Sequence, residues 1–144
     1  MFSSIVVGTD GSETARVAVD AAIDLARTHG AKLHFVSAYK AATAATAMMA
    51  AGATMAADDT VREALAQDAT ETVLAAATLA AEGLEVQTIA AAGPPADVLV
   101  AVAEDVGADL IVVGSRGMQR RVLGSVPNTV SHKAPCNVLI IKTQ

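Results

Sequence analysis

Leu110-Ile111-Val112-Val113-Gly114-Ser115-Arg116-Gly117-Met118-Gln119-Arg120-Arg121-Val122-Leu123-Gly124-Ser125-Val126-Pro127 carries the reading of this chain. Its first four residues form an apolar, β-branched run that reads as a buried strand. Residues 114–127 then hold three glycines, two serines and three arginines, with no acid. Glycine lets a backbone approach a ligand with no Cβ in the way. A helix starting near Ser125 would add unpaired N–H groups and the positive end of its dipole. Strand, glycine loop and helix in succession predict a site for a phosphate or another anion.

Upstream, Phe2–Val7 is another apolar run, ended by the turn-rich link Gly8-Thr9-Asp10-Gly11-Ser12. Ser12 fits a helix N-cap, with Glu13 in the first turn. Ala15, Val19, Ala22, Ile23 and Ala26 recur at helical spacing, and His29-Gly30 closes that helix. Lys32–Tyr39 reads as the second strand. Ala41–Ala57 is nearly all Ala, Thr and Met with one Gly; its low complexity predicts a mobile flap or a frayed helix over 40–57. Asp58–Glu82 reads as a long helix, capped by Asp58 or Asp59, with Val61, Leu65, Thr72, Leu79 and many alanines on its buried side. Leu84–Ala91 is the third strand. Gly93-Pro94-Pro95 is a turn whose proline enters the next helix, and Ala96, Leu99, Val100 and Ala103 supply that helix's inner face. Ala108–Val113 is the fourth strand. Val126–Lys133 is the last helix, with Ser125 as its cap. Asn137–Lys142 is the fifth strand, apolar on both faces at Val138–Ile141.

This alternation predicts an α/β fold, an open Rossmann-like parallel sheet with helices on both faces. Ligands of such sheets sit beyond the carboxyl ends of the strands, where strand order reverses. If the first and fourth strands are neighbours, Gly8–Ser12 and Gly114–Ser125 face one crevice.

The 144 residues predict a single domain over 1–144. No apolar run approaches the ~18 residues of a membrane span, and no basic region precedes Ile5 as a secretory signal requires. A single cysteine, Cys136, forms no internal disulfide and fits a reducing cytoplasm. All fifteen acids lie at or before Asp109, so residues 1–109 carry −10 and residues 110–144 carry +5. That balance argues against broad nucleic-acid binding but leaves one basic segment able to hold a compact anion.

Four pieces of the chain, in order, resemble the universal stress protein domain over nearly the full length. They are Ile5–Ser12, Ala108–Gly117, Leu123–Pro127 and Ala134–Ile141. The resemblance implies a five-stranded parallel sheet of order 3-2-1-4-5 and a homodimer joined through the last strand, 137–142. In many members it implies an adenine nucleotide at the crevice between the first and fourth strands. Gly114, Gly117, Gly124 and Ser125 match the family's phosphate motif, except that the spacer Met118–Leu123 has six residues, three fewer than the pattern. Carried over residue by residue, Asp10 would meet the adenine or ribose, and Gly8 and Thr9 would shape that wall. The main chain near Val36 would face the adenine edge. Gly114, Gly117, Gly124, Ser125 and the Val126 N–H would cradle phosphates. From its charge, and not from the resemblance, Arg116 is expected as a flexible cation beside a phosphate.

The reading is thus a cytoplasmic, ligand-dependent regulatory dimer that binds ATP or AMP, with Mg2+ accompanying ATP. Cyclic AMP is an alternative that a short spacer would suit, and a nucleotide-free interaction module is another. Slow ATP hydrolysis is the most that catalysis could amount to, since no Gly-Lys-Ser/Thr phosphate loop and no evident general base occur. His29, His34 and His132 show no metal-ligand spacing. Cys136 reads as a packed thiol, Arg120 and Arg121 as a solvated loop, and Met48, Met49 and Met55 as packing residues.

Overall fold

The computed structural model describes residues 1–40, 59–115 and 123–143. The expectations for residues 41–57, Asp58, Arg116, Gly117, Arg120 and Arg121 lie outside the described residues. Nine elements follow in order among those described: β1 (Ser4–Gly8), α1 (Glu13–His29), β2 (Lys32–Tyr39), α2 (Asp59–Ala80), β3 (Val86–Ala92), α3 (Pro95–Val106), β4 (Leu110–Gly114), α4 (Ser125–Lys133) and β5 (Asn137–Ile141). The strands form one parallel sheet in the order β3-β2-β1-β4-β5. Strand order therefore reverses between β1 and β4, as the resemblance implies.

Side-chain alternation divides the core between the two faces of the sheet. Ile5, Val7, Leu33, Phe35 and Val112 pack on one face under α1 and α2. Val6, Val36, Ile111 and Val113 pack on the other, under α3 and α4. The ends of β5 obey the same rule: Leu139 and Ile141 join the first cluster, Val138 and Ile140 the second.

The long helix corrects one expectation. Val61, Leu65 and Leu79 are 48%, 62% and 81% exposed, and Thr72 is exposed as well. The face of α2 turned to the sheet instead carries Thr70, Leu74 and Ala77, with Ala81 just beyond the helix end. In this alanine-rich helix only some of the large side chains mark the buried side: Leu74 does, Leu65 and Leu79 do not. Small residues such as Ala77 let the helix pack closely against the sheet beside Leu74.

Two polar anchors sit at the amino end of the sheet. The Asp109 carboxylate accepts from the Ser3 N–H at 2.8 Å, the Ser3 hydroxyl at 2.9 Å and the Ser4 N–H at 3.2 Å, which ties the start of β1 to β4. Partial burial pushes this carboxyl up, but those donors outweigh it and hold it below its ordinary value. His34, 3% exposed in β2, bridges the Ser4 hydroxyl and the Gln87 amide oxygen, each at 3.1 Å.

Burial holds the His34 imidazole below its ordinary 6.5; Lys32 acts in the same sense, while the Gln87 hydrogen bond and Glu85 oppose it. The fold therefore favours neutral His34. The stability this contributes is complete above pH 6.5 and is lost as pH falls from there through the folded-state value. Melting followed by circular dichroism should show a falling midpoint below pH 6.5. A His34→Gln variant, which does not titrate, should lack that part of the decline.

Candidate functional site

The helices that follow β1, β3 and β4 begin at the carboxyl end of the sheet. Their first turns and the strand ends enclose a crevice of about 390 Å³. Gly8, Thr9, Asp10, Ser12 and Thr14 line it from the β1 side. Gly114, Gly124, Ser125, Val126 and Pro127 line it from the β4 side. The two loops singled out in the sequence thus face each other across the strand-order reversal.

The β1–α1 turn is built by its own side chains. The Gly11 N–H donates to Thr9 Oγ1 at 3.3 Å, and the Ser12 N–H to Asp10 Oδ1 at 2.9 Å. Ser12 caps α1 by accepting from the Ala15 N–H at 3.2 Å, and its hydroxyl meets that of Thr14 at 3.1 Å. Gly11 turns the chain with φ of 79°, a conformation that favours glycine. Asp10 is therefore both a turn-forming residue and, among the described lining residues, the one that carries a charge.

On the opposite side, Gly124 and not Ser125 occupies the N-cap of α4. Ser125 is the first helical residue, because Gly124 takes the extended conformation (φ −58°, ψ 163°) that a cap requires. No side chain caps this helix. Its leading amides, Ser125 and Val126, stand at the crevice, and Pro127 in the same turn has no N–H. Such a helix end can bind an acceptor-bearing group through these amides.

The glycines at the strand ends answer to the protein's own packing. A Cβ on Gly8 would lie 3.1 and 3.2 Å from the two methyl carbons of Leu99. One on Gly114 would lie 3.1 Å from the Thr143 methyl and 3.3 Å from the Thr14 carbonyl oxygen. Thr143 is held there by its N–H, which donates to the Ser115 hydroxyl at 3.1 Å, while the Ser115 N–H donates to the Ile141 carbonyl at 2.8 Å. Close approach is needed at both glycines, but by the chain itself.

The main chain expected to face an adenine edge is partly engaged within the sheet. Val36 lines the crevice, but its carbonyl already accepts the Thr9 N–H at 2.9 Å. The Lys32 N–H donates to Ser3 and Val36 accepts from Thr9, so even-numbered residues of β2 face β1. Leu33 and Tyr39 bond towards the β3 side. β1 pairs with β2 only as far as Gly8↔Val36, whereas β2 continues beside β3 to Tyr39. The N–H and C=O of Ala38 are therefore turned to the side that β1 has left, at the crevice that Ala38 itself lines. Ala38, Thr14, Pro95 and Leu99 are lining residues that sequence reasoning missed; the Pro94-Pro95 turn was the signal that could have found Pro95.

The remaining singled-out residues lie elsewhere. His29 meets Phe2, with ring centroids 5.2 Å apart, and His132 contacts the Asn128 carbonyl at 2.8 Å. No group of three metal-ligating side chains occurs among the described residues. Cys136 is half-buried; burial and the Asp109 charge push its thiol up, which favours the protonated form. No helix among the described residues is long and apolar enough to cross a membrane.

Comparison with known proteins gives a consistent match. The family profile described as "Universal stress protein family" covers residues 1–142. A universal stress protein of Mycobacterium tuberculosis is 38% identical, the alignment covering 99% of this chain and 97% of that one. One from Bacillus subtilis is 34% identical, over 99% and 100%. Among solved structures, a universal stress protein in complex with cAMP is 32% identical, with a TM-score of 0.76 and 99% of both chains covered.

Proposed function

Since the chain belongs to the universal stress protein family, we propose that it binds an adenine nucleotide in the β1/β4 crevice and works as a ligand-dependent regulatory dimer in the cytoplasm. The observation that carries this is the uncapped N-terminus of α4 facing the Asp10 turn, with apolar wall between them. The two ends of the crevice suit the two ends of a nucleotide.

At the base end, Ala38 offers an N–H and a C=O side by side. The Watson–Crick edge of adenine presents an acceptor at N1 and a donor at N6, the complementary pair. Val36, Leu99 and Pro95 supply apolar surface around the ring. Asp10 can accept from a ribose hydroxyl through a carboxylate already oriented by the Ser12 N–H. At the phosphate end, the Ser125 and Val126 amides and the Ser125 hydroxyl point to oxyanions without a competing cap. Arg116 and Gly117 belong to the phosphate side in this reading.

ATP and AMP both fit this description, with Mg2+ accompanying ATP. Cyclic AMP is the second reading. It is favoured by the relative solved with cAMP and by the six-residue spacer Met118–Leu123, which suits one phosphate better than three. The chain has no Trp and one Tyr, so bound adenine is conspicuous in absorbance. Freshly purified protein should show an elevated 260/280 nm ratio and release an adenine nucleotide identifiable by mass spectrometry. Release of a different class of small molecule would overturn the reading.

The dimer is proposed through β5, an edge strand of the sheet. Ile141 faces β4, because its carbonyl accepts the Ser115 N–H. Val138 and Ile140 therefore turn their N–H and C=O groups outward, where an unpaired edge invites another strand. Light scattering should give a dimer. Ile140→Pro removes an outward N–H and leaves the ladder to β4 intact, a position where proline is tolerated. It should yield a folded monomer; an unchanged dimer would place the interface elsewhere.

A further inference from the structure

Leu99 lines the crevice from α3 although it is only 3% exposed. Its methyl carbons stand 3.1 and 3.2 Å from where a Cβ on Gly8 would lie. The side chain therefore fills the hollow left by the strand-end glycine. Gly8, Ala38 and Pro95, which line the same crevice, are small or conformationally fixed, and Val36 adds a shorter branched side chain. Among the described lining residues Leu99 has the largest apolar side chain, so it bears most on how deep the apolar end of the crevice runs.

The geometry points to Leu99 as a specificity-determining residue. It closes the inner end of the crevice beneath a bound purine and excludes bases that carry a bulky substituent on the edge facing it. This rests on the adenine-nucleotide reading above. Gly8 and Leu99 act as a matched pair: the glycine admits the leucine, and the leucine occupies the space a larger base would need. Hydrophobic pockets discriminate by about tenfold or more for each methylene that does or does not fit. Leu99→Ala removes three carbons from the wall and should open the inner end by that amount.

The test uses the full chain and the parent nucleotide that binds tightest among ATP, AMP and cyclic AMP. Dissociation constants are measured for that parent and for its N6-benzyl, 2-substituted and 8-substituted derivatives. Wild type should bind the parent and reject at least one derivative. Leu99→Ala should improve the derivative-to-parent affinity ratio for that derivative by at least about tenfold, and Leu99→Val should improve it less. The ratio cancels any loss of folded protein, and the milder valine variant serves if alanine leaves too large a cavity. Wild type that binds no parent nucleotide overturns the nucleotide reading and this role together. Wild type that binds the parent, with both variants keeping the wild-type ratio, overturns the role of Leu99 alone.

Discussion

Gly124→Val should abolish nucleotide binding and leave the fold in place. The backbone at Gly124 has φ −58° and ψ 163°, a region open to every L residue, so valine introduces no backbone strain. An N-cap side chain lies over the first amides of its helix. Valine would therefore cover the Ser125 and Val126 N–H groups without accepting from them, and would hold an oxyanion away. Two hydrogen bonds to a charged group are worth about 3 kcal/mol or more together. The expected loss of affinity is at least about a hundredfold. Replacing a favourable N-cap glycine by valine should cost about 1 kcal/mol of stability. Titration calorimetry and thermal melting on the same sample separate the two effects.

Gly11→Val should do the reverse and damage the fold first. Gly11 holds φ of 79°, where a β-branched residue is a strained outlier. A Cβ there would also lie 2.9 Å from the Val73 Cγ2 on α2. Left-handed strain of about 1–2 kcal/mol and overpacking of about 1–3 kcal/mol give an expected destabilisation of about 2–5 kcal/mol. For a chain of this size that lowers the melting midpoint by roughly 10 °C. Adding Val73→Ala should recover the packing part and leave the backbone part, a coupling that a double-mutant cycle reads directly. Full additivity of the two substitutions would show that the turn and α2 do not press on each other.

The sequence reading succeeds where one residue type has one physical meaning. Apolar runs bounded by turn residues marked all five strands, and Ser12 followed by Glu13 marked the start of α1. The strand order and the meeting of the two loops came with the family resemblance, and the sheet has that order. It fails where several positions carry the same residue. On α2, the many alanines leave few large apolar residues as a signal, and Val61, Leu65 and Leu79 point outward while Leu74 points inward. At Gly124-Ser125 either residue could cap a helix, and backbone conformation decided for the glycine.

The crevice was half legible for a related reason. Its loops are contiguous in sequence and rich in glycine, serine and aspartate, so they announce themselves. Its walls are not. Ala38 matters because β2 outlasts β1, a fact of strand register that no local pattern records. Leu99 matters because it faces Gly8, more than ninety residues earlier in the chain. Such residues have ordinary core identities and become part of a site only when the elements are assembled.

The central claim, an adenine nucleotide held between the Asp10 turn and the N-terminus of α4, is tested most directly by calorimetric titration of nucleotide-stripped protein. ATP, AMP and cyclic AMP are each titrated into the folded wild-type chain. The expected result is one site per chain, with at least one of the three binding more tightly than about 1 mM, near −4 kcal/mol, and with that binding absent in Gly124→Val. If none of the three binds to protein shown to be folded by circular dichroism, or if Gly124→Val binds as well as wild type, the claim is contradicted.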